Sequence, residues 1–152
     1  MKKGQKPTIF LTKNRRGQVW IETVIYTLIA FVMIGLVLSY AKPKIEEYQD
    51  KAILQQSTEI MRQIDLTILT IGSTGNQRVL EIGIKKGELR IDGSADKIIF
   101  EMESKNLYSE PGVIVNDGEI MVLTQKKSGY YDVTLTLDYS QNKNIKFEGE
   151  DK

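Results

Sequence analysis

The chain has 152 residues, 41% hydrophobic and 27% charged, with 21 basic against 20 acidic side chains and neither cysteine nor histidine. That excludes a disulfide framework, a Cys/His zinc site, a Ser-His-Asp or Cys-His nucleophile pair and any histidine pH switch. Residues 1–17 hold Lys2, Lys3, Lys6, Lys13, Arg15 and Arg16 with no acid, a net +6, so the overall +1 leaves −5 on the remainder. An acidic body behind a short basic head is not the profile of a nucleic-acid binder.

From Val24 to Ala41 the chain reads VIYTLIAFVMIGLVLSYA, without a charge. At ~1.5 Å per residue such a helix is roughly 27 Å long, close to the ~30 Å hydrocarbon core of a bilayer. The about 110 residues that follow could hardly enclose a helix apolar on every face, which disfavours a buried core helix. Trp20 and Tyr40 stand near the two ends, where amphipathic rings favour the interfaces. Six Lys/Arg precede the span, while Lys42, Lys44 and Lys51 after it are offset by Glu46, Glu47 and Asp50. The positive-inside bias therefore places the N-terminus in the cytoplasm and the C-terminal part outside. Membrane lipid is the first expected partner.

A secretory signal peptide has a shorter apolar core and an Ala-x-Ala-like site after it. Here the run is longer, and the punctuation lies before it, at Arg15-Arg16-Gly17-Gln18, with Glu22 four residues on. This arrangement resembles the class III signal peptides of archaeal type IV pilins and archaellins. Trp20 and Tyr26 stand where the methanogen-type pattern has Ser and Leu. The resemblance covers about 45 residues and none of the chain beyond Gly75. It implies that a prepilin peptidase, recognising Arg15, Arg16, Gly17, Gln18 and Glu22, cuts between Gly17 and Gln18 and removes residues 1–17. It also implies that residues 18–42 stay on the mature subunit as the transmembrane and assembly helix. Other copies of the chain or related pilins, and a pilus assembly platform, are the partners so implied. In that family Gln18 and Glu22 would serve assembly, the Glu22 carboxylate pairing with the new α-amino group of a neighbour's Gln18. A glutamate near the start of a helix can also be a plain interfacial cap, favoured by unpaired N–H groups and the helix dipole.

Residues 43–71 are expected to extend this helix in amphipathic form. Pro43, between Lys42 and Lys44, predicts a bend. Ile53, Ile60, Ile64, Ile68 and Ile71 fall on one apolar face, with Glu46, Glu47, Asp50, Lys51, Glu59 and Arg62 predicted off it. Such a stripe serves either a partner helix in a coiled coil or, more commonly, a sheet of the same chain. Gly72 to Asn76 carries the cap and turn chemistry that stops the helix.

From Gln77 the period changes to two. Strands are predicted at 80–84, 89–91, 98–102, 113–115, 120–123, 131–139 and 144–147, with Asn116-Asp117-Gly118-Glu119 as a hairpin turn. The fold class is therefore α+β: a long N-terminal helix and a small antiparallel sheet or sandwich head over residues 76–152. The head alone is marginal for a self-sufficient core, and the isoleucine face is expected to complete it. Asp92, Asp96, Asp117 and Asp138 are scattered on turns without calcium-loop spacing, and no Gly-rich phosphate loop follows a strand. No catalytic, metal or cofactor site is expected. Tyr108, Tyr130 and Tyr131 read as packing residues, and no asparagine lies in an N-x-[ST] sequon.

The expected protein is thus a pilin-like structural subunit in the cytoplasmic membrane and then in a surface filament. Two alternatives share the same membrane topology. One is a membrane-tethered β-sandwich binding module, like archaellum accessory proteins with pilin-like N-termini. The other is an ordinary single-pass anchored protein with an uncut N-terminus.

Overall fold

The computed structural model describes residues 15–71 and 75–146, with side chains from Val19 onward. Residues 1–14, most of the expected leader, lie outside the described residues, as do 72–74 and 147–152. Helix α1 runs from Arg15 to Thr70, and five strands follow: β1 Glu88–Asp92, β2 Lys97–Ser104, β3 Ile114–Asp117, β4 Ile120–Lys126 and β5 Tyr131–Asp138. The fold is α+β, a long helix and then an antiparallel sheet. Pro43 lies inside α1 and does not end it. The chain divides into two compact units at this point, Met1–Lys42 and Pro43–Lys152.

In the second unit the strands lie in the order β1-β2-β5-β4-β3, every pair antiparallel. The hairpin β1-β2 and the meander β3-β4-β5 meet where β2 pairs with β5. The β3-β4 turn is the expected one, with Gly118 supplying the positive φ of 65° that other side chains resist. Alternate residues of the central strands are buried: Ile98, Phe100 and Met102, Ile120 and Val122, Val133, Leu135 and Leu137. They face Leu54, Met61 and Ile64 of α1 in a single core. A single sheet covered by one helix, rather than a sandwich, forms the head.

Two expected strands are not strands. Residues 80–84 are irregular and have no ladder partner among the described residues. Leu80 packs on the core, and with Ile82 it borders a groove of about 430 Å³ shared by Ile64, Ile68, Leu89, Ile91 and Ile145. Residues 144–146 are likewise irregular, the Ile145 N–H donating to the Asp96 carboxylate at 2.7 Å, and Phe147 lies outside the described residues. The helix face also differs. Its most buried members are Asp50, Leu54, Ser57, Thr58, Met61, Ile64 and Asp65, while Ile53, Ile60 and Ile68 lie at its margins. Asp50 is therefore on the covered face, contrary to expectation. It is matched there by two donors, Lys86 Nζ at 2.6 Å and the Lys105 N–H at 2.7 Å.

Candidate functional site

Two features of the structure can carry function: the apolar stretch of α1 and the surface that the head presents. In the first unit, every side chain from Val19 to Tyr40 is exposed, Trp20 at 77%. The stretch is long and apolar enough to cross a membrane, and its most apolar window has no buried share. Soluble monomers rarely expose more than a few hundred Å² of contiguous apolar surface, so a face of this extent calls for lipid or protein around it.

The few polar groups in the stretch suit that surrounding. Thr23, Thr27 and Ser39 donate their hydroxyls to the carbonyls of Val19, Thr23 and Gly35 at 2.9, 2.7 and 3.0 Å. Each hydroxyl is satisfied inside the helix, which removes the penalty an orphan donor would carry in hydrocarbon. Glu22 is the single charged residue between Val19 and Ala41.

The first turn of α1 contains Arg15, Arg16, Gly17 and Gln18, so the Gly17–Gln18 peptide bond lies in helical backbone. The side chains of these residues lie outside the description. The cap reading places Glu22 near the start of the helix, which in the uncut chain lies further back. The helix begins seven residues earlier, at Arg15, about two turns away. A carboxylate there is beyond the unpaired N–H groups of the helix start.

In the second unit, side chains tie the helix to the sheet. Besides Asp50, the Tyr139 hydroxyl donates to buried Asp65 at 2.8 Å, and Thr58 and Tyr108 share a hydrogen bond of 2.8 Å. Burial, and then this bond to Asp65, push the Tyr139 phenol above the usual tyrosine range. At the sheet edge, Arg62 lies 3.3 Å from Asp117. None of these polar contacts was foreseen from the sequence. For Asp50 a signal existed: it precedes Ser57 and Ile64 at steps of seven, on the same face.

The turn acids have structural employment. Asp92 accepts from the Ser94 hydroxyl at 2.6 Å and from the N–H groups of Ser94 and Ala95, which hold its carboxyl below the ordinary value. Asp96 adopts a left-handed φ of 54°. Asp138 is bound by Ser140 and by Lys97 at 3.1 Å, which bring it down to about 2. Among the described residues, no group of three or more acids is placed to hold a metal ion. On the sheet face away from the helix, Glu88 stands opposite Glu101, and Glu103 opposite Asp132. Like charges so placed weaken the sheet slightly and make this surface acidic. No protein-family model, curated protein or solved structure matches the chain.

Proposed function

We propose that this chain is a type IV pilin-like structural subunit of an archaeal-type surface filament. It is inserted with its N-terminus in the cytoplasm, cut between Gly17 and Gln18 by a prepilin peptidase, and assembled through its apolar helix. The observation that carries this reading is the helix surface from Val19 to Tyr40. It is apolar on every side and holds one carboxylate, Glu22, five residues into the chain that such a cut would leave. In a lone bilayer anchor that carboxylate would serve as an interfacial cap, whereas in a filament core it would also answer a buried charge. The α-amino group freed on Gln18 would be a buried cation among packed helices, and Glu22 of a neighbour would pair with it. The head, folded on its own helix segment from Pro43, would then lie on the outer surface and set its character.

The test uses Glu22→Ala and Glu22→Gln in a cell that carries a prepilin peptidase and an assembly platform. Both variants are expected to be cut normally and to yield no sheared filaments. Leaving one member of a buried pair alone typically loses ~3–5 kcal/mol. A capping role would be worth about 1 kcal/mol and would leave assembly intact. Wild-type filament yield from both variants would overturn the pairing.

A further inference from the structure

The sheet ends on β3, which pairs only with β4 among the described residues. All four residues of β3 are exposed, Ile114 at 60%, and Val113 just before it is exposed as well. In an antiparallel pair alternate residues turn their N–H and C=O away from the neighbour, so β3 offers open backbone groups on the side away from β4. Of the features that blunt such edges β3 has shortness and one charge, Asp117, but neither lysine nor proline, and Ile114 and Val115 stay exposed. The opposite edge strand, β1, carries Glu88, Arg90 and Asp92 instead.

A second open backbone lies on the β1 side of the same head. Residues 79–84 alternate like a strand, Val79 is 92% exposed, and the segment makes no backbone hydrogen bond to any described residue. Leu80 packs against the core and fixes the segment at one point, while Ile82, 36% exposed, borders the same groove. The two open backbones are at opposite ends of the sheet order and cannot meet within one head.

We infer that β3 of one copy pairs with residues 79–84 of the next, a head-to-tail strand addition between copies of this chain. Charge selects this occupant. Acids stand at both ends of β3, Glu110 before it, Asp117 as its last residue, 3.3 Å from Arg62, and Glu119 beyond the turn. A two-fold β3-to-β3 pairing would bring acid against acid. Residues 79–84 are flanked by Arg78 and Lys85, so either strand direction sets base against acid. Because donor and acceptor are different surfaces, a head-to-tail contact leaves one of each free at the ends of a pair and can propagate through further copies. The inference deepens the filament reading by assigning a head-to-head-unit contact besides the helix core.

The test exploits the absence of native cysteine. Asn116→Cys is combined in turn with Val79→Cys, Glu81→Cys and Gly83→Cys in the full chain, and membranes of expressing cells are oxidised. Asn116→Cys with Lys51→Cys, an exposed helix position, measures collisional background. At least one of the three pairs is expected to give a ladder of dimers, trimers and larger species. Its yield should exceed background roughly tenfold or more, because a formed contact raises the effective concentration of the thiols. Ile114→Lys added to that pair should abolish the ladder. Background yield from all three pairs, or the same dimer from Asn116→Cys alone, would overturn the strand pairing. Filaments scored on the same cells keep the two ideas apart. Filaments without the ladder refute the pairing alone, and a ladder without filaments refutes the filament reading alone.

Discussion

Leu54 and Leu66 are the same residue on the same helix, yet Leu54 is 0% exposed and Leu66 is 56% exposed. Replacing each by alanine therefore separates burial from chemistry. Leu54 lies in the core with Phe100, Val122 and Leu135 of the sheet, so its truncation removes buried methyl groups and leaves a cavity. Such changes cost about 2–5 kcal/mol. At Leu66 the better helix propensity of alanine offsets part of a small loss, and the net change should stay within about 0.5 kcal/mol. The unit Pro43–Lys152, produced without the apolar stretch, is a suitable host for urea unfolding. With a slope of ~2 kcal/mol per molar, a 3 kcal/mol loss lowers the midpoint by roughly 1.5 M. A small domain has only about 5–15 kcal/mol in total, so the effect is large. Equal midpoints for Leu54→Ala and Leu66→Ala would show that the helix is not part of the head's core.

Gly87 has φ +96°, and a Cβ there would sit 2.6 Å from the Glu101 carbonyl oxygen and 2.8 Å from Met102 Cβ. Gly87→Ala should therefore cost more than the ~1–3 kcal/mol of backbone strain alone, read as a fall in the urea midpoint. Tyr139→Phe leaves Asp65 without its donor and should cost about 1–3 kcal/mol at neutral pH. The unfolded phenol ionises near 10 while the folded one resists, so the native state loses stability as pH rises past about 10, and this variant should lose less. Asp138 is held down to about 2, so its contribution is present above the ordinary aspartate value near 3.9 and fades as pH falls toward 2. Asp138→Asn should flatten the unfolding profile over that acid window.

The long helix, its apolar stretch and the five strands were legible because each rests on local periodicity or on turn residues. The β3-β4 hairpin was legible from Asn116-Asp117-Gly118-Glu119 between two short apolar runs. The failures share one cause: period reports which side is buried, not what buries it. Leu80 packs on the core and Ile82 borders a groove, and neither has a ladder partner among the described residues. The isoleucine stripe found the correct side of α1 but not its centre, since Leu54 and Met61 were passed over for β-branched neighbours. Asp65 gave no sign of burial, and the seven-residue steps from Asp50 to Ser57 and Ile64 were outweighed because a carboxylate is normally a solvent signal. Each is tolerated by donors distant in sequence, Lys86, Lys105 and Tyr139. The Gly17–Gln18 junction and Glu22 were legible as a pattern, and their chemistry is a matter for experiment.

The most direct test of the account is the N-terminus of the protein recovered from membranes of a cell that carries a prepilin peptidase. Intact mass and N-terminal sequencing read it together. Processing at this junction gives a chain beginning at Gln18, and Gly17→Leu should block the cut while insertion persists, because the +6 leader cannot be drawn into hydrocarbon. A chain that keeps Met1 in the presence of an active peptidase would contradict it.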